Sequence, residues 1–354
     1  MKKFKACVMG STGIVGQQFV RMLKGHPYFD VVALTASKKS AGKAYEEAVE
    51  WVLGGNIPEN ACNIIVEDVS IESLENKEVK VIFSALPSAV AKEIEAALAH
   101  EGYFIFSNAS SHRLDTDVPI LIPEVNSEHL DMVRHKVDRD RGFIVTNSNC
   151  STAGLVMGLK PLLNFGIKSV FVTTYQALSG AGRHGVESLD ILGNVLPYIN
   201  NEEEKIENET KKIFGQLNGK HLEASDLDVN ASCCRVPVKD GHLESIIVEM
   251  EEDIDEKAAV CTFSSFRGIP QHLKLPTAPE IPVILRTEEN RPQPLLDKDS
   301  GTPERAKGMA VTVGRVRKKG NRLNFFLVVH NSIRGGAGTC ILNAELALKK
   351  GYIR

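Results

Sequence analysis

The stretch FKACVMGSTGIVG, residues 4–16, is the strongest indication of the fold in the first part of this chain. In it a short apolar run leads directly into closely spaced glycines. Gly10, Gly13 and Gly16 stand between this predicted strand and an amphipathic helix that continues through residues 19–23. Glycines at such a turn let the backbone approach a pyrophosphate and direct amide groups at it from a helix N-terminus. The G-x-x-G-x-x-G spacing departs from the usual dinucleotide fingerprint, so a turn without a ligand is the alternative; the position after the first strand favours a nucleotide.

Strand and helix signals alternate through the first 150 residues. Strand-like apolar runs recur at 31–36, 79–86, 103–107 and 143–147, and a helix is predicted over residues 89–99. That alternation is typical of a parallel sheet with crossover helices. The sequence therefore predicts an α/β fold with a Rossmann-type dinucleotide-binding domain over residues 1–150.

The pattern changes after Gly166, where longer strand candidates appear at 168–178, 242–251, 308–318 and 322–330. These predict a second, α+β domain with a largely antiparallel sheet over residues 151–331. A final helix over residues 340–349 is predicted to complete the first domain within 332–354. The Pro-rich, charged segment 276–303 is predicted to be a long surface excursion.

Composition narrows the classes of function. The 354 residues are 43% hydrophobic and 25% charged with a formal net charge of −3, which suits a two-domain globular protein with small-molecule partners. The sequence contains no dense Lys/Arg tract of the kind that binds nucleic acid or an anionic membrane surface. The start does not resemble a secretory signal and no window approaches the ~18 apolar residues of a membrane span, so a cytoplasmic location is expected.

The seven cysteines are odd in number and lack any C-x-x-C pair or zinc-like spacing with histidine, so neither disulfides nor a metal site is expected. Most lie in apolar runs, but Cys150 lies in the polar turn TNSNCSTAG, residues 146–154. A cysteine at a helix N-terminus is biased toward thiolate. Its attack on an aldehyde gives a thiohemiacetal, which can lose hydride to a nicotinamide and leave a thioester. The alternative is a small residue that fills a turn.

A general base is needed beside such a thiol, and His242 in RVPVKDGH, residues 235–242, is the best candidate. Its ordinary pKa near ~6.5 would let it exchange protons near neutrality. Arg235, seven residues earlier, can grip a carboxylate in two places. A structural histidine and an ordinary ion pair are the alternatives.

The second predicted strand ends in a loop without the acidic residue that an NAD site usually carries. Ser37, Lys38, Lys39 and Ser40 instead offer hydroxyl and cationic partners for a 2′-phosphate. The sequence therefore favours NADP over NAD, with a solvated polar loop as the alternative.

Five motifs follow the glycine-rich turn in a fixed order: SNCST (148–152), YQALSGAG (175–182), EEEK (202–205), RVPVKDGH (235–242) and NSIRGGAGT (331–339). Together they resemble the aspartate-semialdehyde dehydrogenases of the archaeal and fungal type, over essentially the whole chain. The resemblance implies that Cys150 is the nucleophile, that His242 is the acid/base group and that Gln176 orients the substrate.

The resemblance also implies substrate contacts. Arg235 matches the arginine that binds the α-carboxylate, and Arg113 matches a phosphate-binding position. Glu202 and Lys205 match the pair that holds the substrate amine and phosphate, with Glu203 as a neighbouring alternative to Glu202. Asn149 is implied to shape the pocket.

Cofactor contacts implied for NADP come from both predicted domains. They are Gly10, Ser11, Thr12, Gly13, Ile14, Val15, Ser37, Lys38, Ser40, Ser84, Leu86, Ser179, Gly180 and Asn331. One departure from the family pattern is Arg183-His184, where a small or proline-containing turn is expected. His184 is a rival base, but the spacing from Arg235 favours His242.

The implied reaction is the reversible reductive dephosphorylation of aspartyl phosphate to aspartate semialdehyde, which feeds lysine, methionine and threonine synthesis. A homodimer or homotetramer, formed through the second domain, is implied. Alternatives are malonyl-CoA reductase or the more distant N-acetylglutamyl phosphate reductase on the same scaffold, a cysteine hydrolase without a nucleotide, and a catalytically silent nucleotide sensor.

Overall fold

The protein is described by a computed structural model that covers residues 2–74, 77–139, 141–219, 221–251 and 253–354. The chain forms two compact units. The first comprises Met1–Leu121, Glu128–Asn147 and Gly336–Arg354, and the second comprises Ile122–Ser127 and Ser148–Gly335.

The strands are β1 Phe4–Met9, β2 Phe29–Ala36, β3 Val66–Asp68, β4 Val81–Ser84, β5 Phe104–Ser107, β6 Phe143–Thr146, β7 Ile167–Gln176, β8 Gln216–Asn218, β9 His221–Glu223, β10 Asp228–Arg235, β11 His242–Met250, β12 Val283–Arg286, β13 Val311–Lys319 and β14 Arg322–Val329. The α-helices are α1 Ile14–Leu23, α2 Tyr45–Ala48, α3 Glu59–Cys62, α4 Ser88–His100, α5 Pro123–Asn126, α6 Arg134–Val137, α7 Cys150–Leu159, α8 Ser188–Ile191, α9 Glu202–Ile213, α10 Glu256–Ser265, α11 Ile269–His272, α12 Pro294–Asp297 and α13 Gly338–Lys349. Short 3-10 turns lie at Glu72–Leu74, Ser127–Val133, Lys160–Phe165, Leu178–Ala181 and Glu304–Ala306, and a π-helical turn at Ile333–Ala337.

The first unit is built on a parallel sheet with the strand order β3-β2-β1-β4-β5-β6. The apolar residues of β1 and β4 are mostly buried, and aromatic side chains from α1 and β2 pack on Phe83. Helix α13 packs against α1 and β5. This strand order, with α1 connecting β1 to β2 and α4 connecting β4 to β5, confirms the predicted Rossmann-type sheet.

The strand order reverses at β1, which has β2 on one side and β4 on the other. Ligands of such sheets bind in the crevice at the carboxyl ends of these strands. Gly10 lies there with φ +72°, and a Cβ on it would lie 2.6 Å from the carbonyl oxygen of Ala85. A Cβ on Gly16 would lie 2.1 Å from the carbonyl oxygen of Gly10. The close approach of three chain segments therefore requires glycine at both positions.

The second unit contains a mixed sheet with the order β10-β7-β11-β14-β13-β12. Its three central pairings are antiparallel and the two outer ones are parallel, which confirms a largely antiparallel sheet. Helix α7 packs on this sheet through small residues. A Cβ on Gly154 would lie 2.8 Å from Cγ1 of Val329, and one on Gly158 would lie 2.9 Å from Cδ2 of Leu327. The close packing places the first turn of α7 over the start of β11.

The surface excursion predicted over residues 276–303 is corrected by the structure. β12 within it pairs with β13, and the carboxylate of Asp297 is fully buried against the guanidinium of Arg291. A four-residue strand among prolines gives little periodic signal, so its place in the sheet depends on pairing rather than on local sequence.

Strand β10 was not predicted from the sequence either, because DVNASCCR is poor in β-branched and aromatic residues. It is an edge strand, and its outward amides at Ala231 and Cys233 donate to carboxylates of α9 at 3.1 and 3.0 Å. Helix α9 thereby covers the edge of the sheet. Within the residues described, none of the helices combines the length and hydropathy needed to cross a bilayer.

Candidate active site

Cys150 is the first residue of α7, and Asn149 is its N-cap. The side-chain oxygen of Asn149 accepts the backbone amides of Ser151 and Thr152 at 2.9 and 3.3 Å. The first turn of α7 carries no acidic residue. The positive end of the helix dipole therefore acts on the Cys150 sulfur without opposition from within its own turn, which favours the thiolate.

The imidazole of His242 lies beside this sulfur, with 3.1 Å between Cys150 Sγ and His242 Nε2. The other ring nitrogen, Nδ1, accepts the backbone amide of Ala177 at 3.0 Å. Because a backbone amide can only donate, Nδ1 carries no proton, and the proton of the neutral ring lies on Nε2. In the resting site His242 therefore presents a hydrogen-bond donor to the sulfur.

The His242 ring is fully buried, and burial lowers its pKa to about 3, with further lowering by the nearby Arg235 guanidinium and by His330. The expectation that this ring exchanges protons near neutrality assumed an ordinary pKa. Burial of the ring lowers that pKa, and the acid/base role of His242 stays a prediction. A ring with so low a pKa stays neutral at working pH and acts as a donor through Nε2. The rival His184 is exposed, whereas His242 lies at hydrogen-bonding distance from Sγ.

Arg235 ends β10 and Gln176 ends β7, and the two residues are neighbours in the sheet. The Arg235 Nη1 donates to the carbonyl oxygen of Ala177 at 2.8 Å. The two peptide groups of Ala177 therefore orient both the arginine and the histidine. Sequence reasoning missed this residue, since a backbone contact leaves no side-chain signal.

Glu202 begins α9 and is only 6% exposed. Its Oε1 accepts the side-chain amides of Asn149 at 2.8 Å and Gln176 at 3.0 Å, and its Oε2 lies 3.7 Å from Lys205 Nζ. Glu203, the neighbouring alternative, instead accepts the backbone amide of Cys233 in β10. The geometry thus places Glu202, and not Glu203, beside the nucleophile's helix.

Glu209 is a second residue that sequence reasoning missed. Its Oε2 accepts the backbone amide of Asn149 at 2.5 Å, and the side chain is 2% exposed. It lies seven residues after Glu202, which is two helical turns, and so shares the face of α9 that contacts α7. That spacing is the signal that could have identified it.

The segment after β14 closes the site from another side. A Cβ on Gly335 would lie 2.6 Å from Cβ of Cys150, and one on Gly180 would lie 2.9 Å from Arg235 Nη1. Asn331 accepts the backbone amide of Gly241 at 2.9 Å and donates to Ser179 Oγ at 2.8 Å. Three predicted cofactor residues, Ser179, Gly180 and Asn331, therefore lie at this site, and the Asn331 amide is bonded on both sides within the protein.

Glu244 lies two residues after His242 on the same strand and is fully buried. A Cβ on Gly154 would lie 3.0 Å from its Oε1. Burial raises the pKa of this carboxyl well above its usual range. Burial therefore disfavours a negative charge on this carboxyl beneath α7.

In the first unit, the predicted cofactor residues of the glycine-rich turn divide into two groups. Both the hydroxyl and the amide of Ser11 donate to the carbonyl oxygen of Thr35, at 3.1 and 3.0 Å, and Gln17 Nε2 donates to that of Thr12 at 2.9 Å. These contacts hold the shape of the turn. Gly13 is exposed, Ile14 and Val15 are half-buried, and α1 has no side-chain cap, so its first amides remain available.

The remaining predicted residues of this unit lie in three places. Ser37 and Lys38 are exposed in a turn that the Ser40 amide closes onto the Ser37 carbonyl at 2.8 Å. The hydroxyl of Ser84 is fully buried and donates to Glu95 at 2.6 Å, so it is not presented to a ligand; Leu86 is buried as well. Arg113 is 7% exposed and donates to the carbonyl oxygen of Asn108 at 2.9 Å.

This chain is similar to known proteins over almost its full length. Residues 5–133 match the family model described as the NAD binding domain of semialdehyde dehydrogenase, and residues 159–334 match its dimerisation domain. The aspartate-semialdehyde dehydrogenase of Archaeoglobus fulgidus is 45% identical, over 99% of this chain and 100% of that protein. The malonyl CoA reductase (NADP) of Metallosphaera sedula is 39% identical, over 99% of both chains.

Among solved structures, the aspartate semialdehyde dehydrogenase of Candida albicans with NADP superposes with a TM-score of 0.90 at 38% identity, over 99% of this chain and 100% of that chain. One family accounts for the order of the motifs, the folds of the two units and this similarity over the whole length. The chain belongs to the aspartate-semialdehyde dehydrogenase family.

Proposed function

We propose that this protein is an NADP-dependent aspartate-semialdehyde dehydrogenase, which reductively dephosphorylates L-4-aspartyl phosphate to L-aspartate 4-semialdehyde. The observation that carries the proposal is the thiol of Cys150 at a helix N-terminus, 3.1 Å from the donor nitrogen of His242. Around it lie a buried guanidinium and a carboxylate–ammonium pair, which suit an amino-acid substrate that carries a phosphate.

The first unit fits a dinucleotide. Its glycine-rich turn packs so closely against neighbouring backbone that a Cβ on Gly10 or Gly16 would clash, and α1 has no side-chain cap on its first amides. The hydroxyls and lysines at residues 37–40 would hold a 2′-phosphate, with no carboxylate in that turn to repel it. When bound, NADPH supplies the hydride that reduces the enzyme-bound acyl group.

In the biosynthetic direction, the Cys150 thiolate attacks the acyl carbon of aspartyl phosphate. The C–S bond forms, the C–O bond to phosphate breaks, and phosphate leaves with the bonding electron pair, which gives a thioester on Sγ. Reduction of this thioester gives a tetrahedral oxyanion. His242 Nε2–H is placed to donate a hydrogen bond to that oxygen. Collapse of the oxyanion then releases the semialdehyde and restores the thiolate, so the neutral ring need not change its protonation state.

Substrate positioning follows from the same geometry. Arg235 would bind the α-carboxylate in two places, and Glu202 would bind the substrate ammonium. Lys205 and Arg113 would contact the phosphate. Gln176, held by Glu202, would orient the acyl group beside Sγ.

Replacing Arg235 with lysine should keep the charge and lose the guanidinium fork. We expect KM for aspartate semialdehyde to rise roughly tenfold or more while KM for phosphate is nearly unchanged, measured by steady-state kinetics. Arg286→Lys is the matched control, because Arg286 pairs with Asp297 and has no proposed substrate role. A selective rise in KM for phosphate would reverse the assignments of Arg235 and Arg113.

Replacing Ser37 with aspartate should place a negative charge where the 2′-phosphate is proposed to bind. We expect the Kd of NADPH, measured by fluorescence titration, to rise at least roughly tenfold, with a much smaller change for NADH. Equal weakening of both cofactors would show that this turn does not contact the 2′-phosphate.

The overall proposal is tested by NADPH formation from aspartate semialdehyde and NADP⁺, with and without phosphate. We expect formation to require phosphate, because phosphate is the nucleophile that releases the thioester. The 39% identical relative named as a malonyl CoA reductase makes malonyl-CoA with NADPH the necessary second assay. Faster turnover of malonyl-CoA than of aspartyl phosphate would overturn the proposed substrate.

Two further proposals accompany this function. A homodimer or homotetramer formed through the second domain is supported by the match of residues 159–334 to a dimerisation domain. Light scattering in solution tests it. The domain boundaries at residues 150 and 331, and a cytoplasmic location, stay predictions from the sequence.

A further inference from the structure

Two carboxylates from the same face of α9 hold the residue that precedes the nucleophile. Glu202 accepts the side-chain amide of Asn149 at 2.8 Å, and Glu209 accepts its backbone amide at 2.5 Å. Both glutamates are buried. Hydrogen bonds from an amide to a buried carboxylate are among the stronger ones in proteins, so Asn149 is fixed at two points.

The backbone contact has a direct effect on the nucleophile. Asn149 adopts φ −52° and ψ 149°, and the next residue already has helical conformation. Only the backbone of Asn149 itself lies between its amide nitrogen and the Cα of Cys150. A hydrogen-bond acceptor that holds this amide, here Glu209, therefore restrains the position from which the Cys150 side chain extends. The distance of 3.1 Å to His242 leaves little tolerance, because hydrogen bonds weaken steeply with displacement.

Glu202 cannot supply this restraint alone. Its Oε1 is shared between Asn149 and Gln176, and its Oε2 lies 3.7 Å from Lys205. Under the proposed function it also binds the substrate ammonium, which competes for the same oxygens. The contact from Glu209 goes to the backbone amide of Asn149 and therefore need not change when the substrate binds.

We propose that Glu209 is a positioning residue, which holds the backbone of Asn149 and thereby keeps the Cys150 sulfur within hydrogen-bonding distance of His242. It acts through its carboxylate oxygen as a hydrogen-bond acceptor. Of the two measurements that test this inference, only the turnover assay depends on the proposed function.

The test compares Glu209→Gln with Glu209→Met. Both side chains are uncharged and close to glutamate in size, but Gln keeps an amide-strength acceptor and Met does not. We expect Gln to stay within about threefold of the parent kcat, because the bond to Asn149 survives. We expect Met to lower kcat roughly 10²-fold with KM for aspartate semialdehyde nearly unchanged, the size of effect that a small misplacement of a reacting group produces.

A second readout needs no substrate. The rate at which iodoacetamide alkylates Cys150 should be lower in the Met variant than in the Gln variant, because Sγ loses its donor from His242. The measurement uses a Cys261→Ser background, since Cys261 is exposed. If aspartyl phosphate is not the substrate, turnover is absent in the parent protein, while the alkylation comparison still tests Glu209.

Glu207→Ala is the matched control. Glu207 lies on the same helix and accepts the backbone amide of Ala231 in β10 at 3.1 Å, away from Asn149. The Glu207→Ala variant should have a lower thermal unfolding midpoint than the parent protein, with unchanged kcat and an unchanged alkylation rate of Cys150. Equal kcat and alkylation rates in the Gln and Met variants would overturn the proposal, as would a loss of kcat in Glu207→Ala as large as in Met. If Met does not fold, a folded Gln variant with kcat far below the parent overturns it equally.

Discussion

Replacing Cys150 with alanine should abolish turnover of aspartyl phosphate, by roughly 10⁴-fold or more, since no covalent acyl intermediate can then form. Cys150 is the first residue of α7, and its sulfur lies beside His242 Nε2. The Asn149 side chain caps the helix through backbone amides, which the substitution leaves in place. The variant should therefore fold and bind NADPH normally. Steady-state kinetics, NADPH titration and mass spectrometry of the acyl-enzyme measure the three expectations.

Cys150→Ser refines this prediction. The hydroxyl fits the same place but is a poorer nucleophile, and its ester is a poorer hydride acceptor than a thioester, so a loss of several orders of magnitude is expected. Normal turnover in the alanine variant would show that the cysteine only fills a turn.

Selective alkylation gives an independent test of the Cys150 thiolate. Cys7, Cys233 and Cys340 are buried, and burial raises the pKa of each thiol, that of Cys233 to about 12. With exposed Cys261 replaced by serine, the first equivalent of iodoacetamide should modify Cys150, and activity should fall in step. Peptide mapping identifies the modified residue. Early modification of a buried cysteine, with activity retained, would contradict the assignment.

Replacing His242 with alanine should lower kcat by roughly 10²- to 10³-fold, the cost of removing one preorganised oxyanion donor. His242→Gln offers an amide donor near the position of Nε2 and should lose less than the alanine variant. Both variants should bind NADPH like the parent protein. A glutamine variant as inactive as the alanine variant would show that the ring must transfer a proton and not only donate a hydrogen bond.

The pH dependence follows from the lowered pKa of His242, about 3. A group with this pKa is neutral from about pH 5 to pH 9 and is protonated only in stronger acid, so lowering the pH across that window does not charge the ring. We expect kcat to show no inflection near pH ~6.5 that belongs to His242. The profiles of the parent and His242→Gln should have the same shape. An inflection near that pH in the parent and not in the variant would place the folded-state pKa close to its ordinary value.

Several features of this protein were readable from short stretches of sequence. The alternation of strand and helix signals predicted the parallel sheet of the first unit. The glycine at position 10 has a structural reason, since a Cβ there would lie 2.6 Å from the carbonyl oxygen of Ala85. The polar turn that precedes the apolar run of α7 predicted that Cys150 lies at the start of a helix, as it does. Both signals are local, since the residues that define them are neighbours along the chain. The order of the motifs predicted the family, which the comparisons confirmed.

The tertiary structure determined the contacts between residues that are far apart in the sequence, and with them the protonation of the site. Cys150 and His242 are 92 residues apart, and their distance depends on the register of β11 and the seating of α7. The proton of His242 lies on Nε2 because of the amide of Ala177, a backbone group that no residue type reveals. Its low pKa arises from burial, which depends on everything packed around the ring.

The same reason separates residues that look alike in sequence. In EEEK, residues 202–205, one glutamate binds Asn149 and Gln176 while its neighbour binds β10, because adjacent residues on a helix point about 100° apart. Glu209 joins Glu202 on one face because seven residues complete two turns. The sequence by itself determined which groups are available and which local structures carry them. Only the packed fold, through its long-range contacts and low dielectric, determined their partners and their protonation.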